Sequence, residues 1–239
     1  MNIKNLFVLL FCFSSTVLFA QTNHADSTTT EKKSHIVRAE LGYSQIARTG
    51  SFMSTTPFQV IRLGGNVEFP LKYNVGIETG LNYNFAFGNK TQYAGNKIYD
   101  DYYAIDTINY SYQNHSLNIP LHITYNLPIF WGLKLFAYAG PTFNLGLAEP
   151  TTVDAAKNMY ANSGKYDLYT DKLTYIKDSQ TQKQVQLSRF NMQLGLGGGI
   201  QWKQYRVRSG YDWGLTNFSR TQDTNQYNKG WSVSFEYQF

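Results

Sequence analysis

The chain holds one cysteine in 239 residues, Cys12. It sits inside an apolar N-terminal run, so everything after it lacks a thiol. That excludes a disulfide framework, a thiolate nucleophile and a cysteine-ligated metal. A lipoprotein cysteine follows a small residue, whereas Leu10 and Phe11 precede Cys12. Long apolar runs are missing as well. The main one, Leu6 to Phe13, is far short of the ~20 apolar residues that a membrane helix needs, and nothing later approaches that length. Charge is sparse, with charged residues at 15% and a formal net charge of +5. The basic residues are spread along the chain with no dense cluster interleaved with aromatics, which argues against nucleic-acid binding. A mildly positive chain also suits anionic lipid headgroups.

The first twenty residues read as an address. Lys4 supplies a positive start, Leu6 to Phe13 the apolar core, and Ala20 before Gln21 a cleavage point. Residues 1–20 are therefore expected to be a cleaved signal peptide, which leaves a mature chain of net charge +5 − 1 = +4, since Lys4 is its only charge. Residues 21–34, QTNHADSTTTEKKS, carry no large apolar side chain and are expected to form a flexible periplasmic arm.

What is abundant is aromatic: 19 Tyr and 16 Phe, 16% with Trp included. What is regular is a period of two. Val37, Ala39, Leu41 and Tyr43 alternate with Arg38, Glu40, Gly42 and Ser44. Ile61, Leu63, Val67 and Phe69 alternate with Arg62, Gly64, Asn66 and Glu68, and Val75, Ile77, Leu81, Tyr83, Phe85 and Phe87 with Gly76, Glu78, Asn82 and Asn84. Segments around 116–125, 133–147, 189–202, 205–215 and 231–239 behave alike. Eight segments of about ten residues match the length of a tilted strand crossing a bilayer. The helical spacing of i, i+3 and i+4 is absent from them.

The connections alternate too. Short ones fall near Leu71–Lys72, Asn126–Gly132 and Lys203–Gln204; long polar ones span about Gly88 to Tyr112 and Ala148 to Gln184. The expected fold is all-β: residues 35–239 form one eight-stranded antiparallel up-and-down transmembrane β-barrel with short periplasmic turns and long extracellular loops. Both chain ends would then be periplasmic, in a bacterial outer membrane. A soluble eight-stranded barrel with apolar side chains inside has the same period. The polar faces argue against it, because they carry Arg38, Glu40, Arg62, Glu68, Glu78, Lys134, Arg206, Arg208, Asp212 and Glu236. In a barrel of eight strands these would fill the lumen as a structural, salt-bridged plug. Arg206 and Arg208 are expected to meet carboxylates such as Glu236, Asp212 or Glu40.

Ser116-Leu-Asn-Ile-Pro-Leu121, then Leu135-Phe-Ala-Tyr-Ala-Gly-Pro141, resembles the PorT-like outer-membrane β-barrel family of Bacteroidetes, most specifically over about residues 115–147. The resemblance implies an eight-stranded barrel in the outer membrane. One member is linked to gliding and type IX secretion, a role that the structural motif does not carry over. The alternating ending Phe235-Glu-Tyr-Gln-Phe239 resembles the C-terminal signature read by the barrel assembly machinery. Pro120 and Pro141 lie within strands, where a bulge or a barrel rim is the expected setting.

Candidate chemistry is thin. Gly195-Leu-Gly-Gly-Gly199 lacks the Lys-Ser/Thr of a phosphate loop. If Trp202 pairs with Tyr205, Gly199 lies opposite Arg208 and Gly195 opposite Asp212, leaving room for Arg206 and Arg208 to cross the lumen. His115 and His122 sit an odd number of residues apart, on opposite faces, and cannot share a metal. No nucleophile elbow or triad spacing is present. The sequence therefore leads to a non-enzymatic membrane protein without cofactor, metal or nucleic acid, acting through its loops on an envelope or extracellular partner. Tyr93, Tyr99, Tyr102, Tyr103, Tyr110 and Tyr112 make the second outer loop aromatic, as binding loops often are. A small-solute pore and an outer-membrane hydrolase with a rim active site are the alternatives.

Overall fold

The computed structural model describes residues 35–50, 53–98, 102–155, 163–177, 180–220 and 225–239. The proposed signal peptide, the arm and Tyr99 lie outside these residues. Among the described residues twelve strands follow one another: β1 (Ile36–Gly50), β2 (Met53–Pro70), β3 (Val75–Ile98), β4 (Tyr102–Phe130), β5 (Leu133–Ala148), β6 (Pro150–Ala155), β7 (Gly164–Asp167), β8 (Lys172–Lys177), β9 (Gln180–Val185), β10 (Phe190–Trp202), β11 (Tyr205–Gly214) and β12 (Gln226–Gln238). Eight of them close a ring in the order β1-β2-β3-β4-β5-β10-β11-β12, every pair antiparallel, with β12 back on β1.

The register fixes the geometry of closure. From Tyr125 in β4 the paired positions run Ala137, Gly198, Ser209, Val233, Tyr43, Ile61 and Phe85, and re-enter β4 at His115. The return is displaced by 125 − 115 = 10 residues. Eight strands with a stagger of this kind tilt by about 40° and leave an interior just wide enough for side chains. The stagger is even, so a residue that faces inward stays on the inner face all the way round.

The faces are inverted relative to a water-soluble barrel. Leu41, Leu63, Ile123 and Leu196 are 54–64% exposed, while Arg38, Glu68, Glu78 and Glu236 are at most 1% exposed. Apolar side chains thus look out and charges look in, which suits a hydrocarbon surround and rules out an apolar ligand cavity. Aromatic pairs collect towards both ends of the apolar band. Tyr205–Tyr237 and Phe130–Trp131 lie by the short turns, Tyr43–Trp231 and Tyr211–Trp213 towards the long loops. Amphipathic rings are placed so at bilayer interfaces.

Three tight turns close one end. Tyr73 and Asn74 have φ of 60° and 62°, and Trp131 and Gly132 have 47° and 79°. Positive φ at both central residues is the hairpin geometry that matches strand twist. The structure corrects several expected boundaries. The turn read as Asn126–Gly132 is only Trp131–Gly132, because β4 runs on to Phe130. The stretch Gly88 to Tyr112 is not a loop. β3 and β4 continue as a paired ladder from Gly88↔Tyr112 to Ile98↔Tyr102. That stretch lacks the unbroken apolar alternation of the crossing strands, so nothing in the hydropathy announces it. Ala148 to Gln184 likewise contains β6 to β9, where β6 extends the sheet along β4 and β7 pairs β6.

Pro120 also differs from expectation. Pro120↔Thr142 and Ile123↔Ala139 keep one register, as do Thr79↔Leu121 and Asn82↔Asn118. The ladder skips rungs around the proline without a bulge, because a missing donor costs a bond but needs no extra residue. Gly140 faces this gap, and a Cβ there would lie 2.9 Å from the His122 Cα.

Candidate functional site

The lumen holds the chemistry, and six strands supply it. β1 contributes Arg38 and Glu40, β2 Arg62 and Glu68, β3 Glu78, β4 His122 and Thr124, β11 Arg206 and Arg208, and β12 Glu236. The even positions of these strands face inward, so alternation alone delivers every one of these side chains to one narrow space.

Glu78 is the hub. Its two oxygens take Arg206 Nη1 at 3.0 Å and Arg208 Nη1 at 2.5 Å, and Arg38 Nη1 lies 3.6 Å away. Glu236 lies 3.3 Å from Arg206 and 3.4 Å from Arg208. Glu68 takes Arg38 Nη2 at 2.7 Å and accepts hydrogen bonds from Thr124 and Asn126. Further along, Arg62 reaches Glu40 at 3.6 Å, and Asn66 donates to Glu40 at 2.7 Å. Four guanidiniums thus face four carboxylates, and their formal charges cancel. Cancellation is required where the surround is hydrocarbon, since an unpaired buried charge costs several kcal/mol.

His122 shares the knot. Arg208 Nη2 donates to His122 Nδ1 at 2.7 Å, and His122 Nε2 lies 3.1 Å from Thr142 Oγ1. A guanidinium has no acceptor, so Nδ1 must present its lone pair. With Nδ1 accepting from Arg208, Nε2 is left to face Thr142 Oγ1, and the Glu78 carboxylate also lies 3.8 Å from Nδ1.

Two aromatic rings form the floor under the arginines. Arg206 lies over Phe136 at 3.5 Å and Arg208 over Tyr138 at 3.6 Å. Both rings pack against glycine: Gly199 pairs Phe136 and Gly197 pairs Tyr138. A Cβ on Gly197 would meet the Tyr138 ring at 2.5 Å, and one on Gly199 would meet Phe136 at 2.9 Å. Gly199↔Arg208 and Gly195↔Asp212 pair as the Trp202–Tyr205 turn requires. The space that the glycines free goes to the rings, not to the arginines directly. The cation–π faces cover guanidinium edges such as Arg206 Nε, which finds no hydrogen-bond acceptor among the described residues.

Two charged positions expected in this network stand apart from it. Lys134 is half-buried at the short-turn end opposite Gln201, where water reaches it, and forms no ion pair among the described residues. Asp212 faces the lumen beside Gly195 but lies two inward positions beyond Arg208 and pairs with neither arginine. Glu78, from across the barrel, takes that place. His115 lies on the outer face, with Tyr83 Oη at 2.5 Å from its Nδ1, away from His122.

A second constellation closes the long-loop end and was not legible as a site. Arg48 Nη1 and Nη2 grip the two oxygens of Glu149 at 2.5 and 3.0 Å, and Asn114 donates to Glu149 at 2.8 Å. Arg48 lies between the rings of Phe58 and Phe218, at 4.7 and 5.1 Å. Tyr169, Leu187 and Phe218 pack together as a small apolar roof. Burial pushes the Tyr169 hydroxyl well above the usual phenol range, so it stays protonated and accepts from Asn114 at 2.9 Å. Glu149 points inward because of a bulge. Ser116↔Gly146 and His115↔Ala148 differ by one step, so Leu147 is extra and the inward face passes from even to odd positions.

A closed eight-stranded barrel with apolar residues outside and a neutralised charge knot inside is an integral membrane barrel, and its class is that of the outer-membrane β-barrels. The chain belongs to the outer membrane protein beta-barrel domain family, whose profile matches residues 19–220. No curated protein matches the chain. Among solved structures it is similar to Neisserial surface protein A, at 11% identity and a TM-score of 0.41, over 86% of this chain and 97% of that one. Ail of Yersinia pestis, in complex with the heparin analogue sucrose octasulfate, gives 12% and 0.34 over 86% and 99%. The N-terminal barrel domain of Pseudomonas aeruginosa OprF gives 10% and 0.27 over 83% and 97%.

Proposed function

We propose that this outer-membrane protein is a non-enzymatic barrel that works through the sheet and loops at its long-loop end, with a lumen closed to solutes. The observation that carries the reading is the knot. Arg206 and Arg208 cross the barrel to Glu78, while Glu236 on the neighbouring strand and the Arg38–Glu68 pair of β1 and β2 fill the bore beside them, and all six are at most 5% exposed. Side chains locked across the bore leave the ends of the barrel as its working surfaces. The long-loop end is assigned to the cell exterior and the chain ends to the periplasm, as short periplasmic turns and longer outer loops require. Residues 1–20 act as the export signal, and the aromatic C-terminal strand engages the assembly machinery. Within its family the PorT-like group of Bacteroidetes is the assignment that the 115–147 text supports. Outer-membrane lipid contacts the apolar band. The partner is an envelope or extracellular protein met by β3, β4, β6 and β7 beyond the band, where Tyr110 and Tyr112 stack at 5.9 Å.

The test has two arms. In planar bilayers the purified protein is expected to give no regular conductance steps; steps of constant size would replace this reading with a pore. In an envelope pull-down, intact protein is expected to retain a partner that a variant lacking Ala148 to Gln184 loses. Turnover in a screen of lipid and peptide substrates would instead establish an enzyme.

A further inference from the structure

Two sets of buried ion pairs stand apart from one another: the knot in the bore and Arg48–Glu149 at the long-loop end. Between them lies a polar space lined by Asn84, Asn118, Asn144, Asn191 and Gln193 under the rings of Phe58 and Phe218. Glu149 is one anchor of the roof over this space. Leu168 N donates to Glu149 O at 3.1 Å, Glu149 N to Asp167 at 3.2 Å, and Leu187 N to Leu168 O at 3.2 Å. Ser188 N in turn donates to Phe218 O at 2.7 Å. Roof segments from three separate stretches of chain are thus linked to one another. Backbone and amide bonds hold them to β4, β5 and β12 (Asn114 to Tyr169 Oη at 2.9 Å, Gly146 N to Arg189 O at 2.6 Å, Phe218 N to Gln226 O at 3.2 Å), and the Arg48–Glu149 ion pair ties them across to β1. Among the described residues the apolar roof is Tyr169, Leu187 and Phe218 with Leu168 against them. The carrier of Glu149 is a bulged strand end, the kind of ladder irregularity at which pairing is locally broken.

We propose that Arg48–Glu149 is a latch: it holds the roof shut over an amide-lined vestibule, and its release opens that vestibule as far as the arginine–glutamate knot and no further. This rests on the closed-lumen reading above and adds that the closure has two independent parts. A bidentate guanidinium–carboxylate pair has a defined geometry that lysine cannot reproduce. Loss of one partner leaves the other buried and uncompensated, which favours the open arrangement.

The experiment uses the full chain in a Cys12→Ser background, where thiol reporters are unambiguous. Asn191→Cys reports on the vestibule, and Gln201→Cys, beyond the knot beside the short turns, reports on the barrel as a whole. Labelling by a small charged thiol reagent is followed on detergent-solubilised, heat-modifiable protein. With Glu149→Ala the Asn191→Cys rate is expected to rise about tenfold or more, the change that ~1.4 kcal/mol of lost closure would give. Arg48→Lys, which keeps the charge but not the fork, is expected to give a smaller rise, and it carries the test if Glu149→Ala does not fold. The Gln201→Cys rate is expected to stay unchanged. Fast labelling of Asn191→Cys with the native pair, or no rise in either variant, would overturn the latch. A parallel rise at Gln201→Cys would show general loosening and overturn the two-part closure, whereas conductance steps from the unmutated protein would strike at the closed-lumen reading itself.

Discussion

Glu78 accepts from two arginines on one strand and sits within 3.6 Å of a third. Replacing it by Gln keeps its shape and removes the charge that Arg206 and Arg208 share. The expected cost is about 3–5 kcal/mol, the usual penalty for breaking a buried pair from one side. Denaturant unfolding in lipid vesicles would measure it, and a change below 1 kcal/mol, roughly the value of an exposed pair, would show the knot to be hydrated. Gly197 makes a second prediction. A methyl group there meets the Tyr138 ring and the Ser209 carbonyl. Gly197→Ala is expected to cost about 1–3 kcal/mol through overpacking, and truncating Tyr138 in the same chain should recover part of it. If the double variant is simply the sum of both losses, ring and glycine are not coupled.

Along each strand, parity decides which side chains meet lipid and which meet the lumen. Leu196 is 55% exposed near the middle of β10, while its neighbours Gly195 and Gly197 face the lumen. Leu196→Arg is expected to destabilise the inserted barrel by about 2–4 kcal/mol, the range for a cation at the bilayer midplane. An effect near zero would place Leu196 in water and refute the orientation of the faces. Parity was readable from residue order because apolar and polar side chains alternate without a break from Val37 to Tyr43 and from Trp231 to Phe239. It failed at Leu147, where one extra residue turns Glu149 inward. A bulge is set by the partner strand and leaves no mark in hydropathy. The paired extension Gly88 to Ile98 was equally silent, since its residues lack the apolar alternation of the crossing strands.

For the whole molecule, closure is the deciding fact. β12 pairs β1 from Arg38↔Gln238 to Gly50↔Gln226, and Phe239 N donates to Val37 O at 3.1 Å. The two ends of the barrel are therefore neighbours at one rim. A circular permutant that joins Phe239 to His35 through a short linker and opens the chain within 156–162 is expected to refold into vesicles with an unchanged β-sheet spectrum. Such permutations succeed where ends are close and new ends fall in connections. Failure of this permutant to insert, with the linker long enough, would mean that the assembly order along the chain matters more than the closed register.

Residue order by itself determined the all-β class, the number of crossing strands, which side chains share a face and which charges face the lumen. Each of these depends only on a period of two, and a period is a property of the chain alone. The register determined the rest. Glu78 meets Arg206 and Arg208 from across the barrel because a stagger of ten residues brings β3 level with β11. Phe136 and Tyr138 lie under the arginines because β10 offers them glycines. Asp212 misses the knot and Glu149 finds Arg48 for the same reason: which inward side chain meets which depends on the closed ring, and no stretch of chain contains that ring.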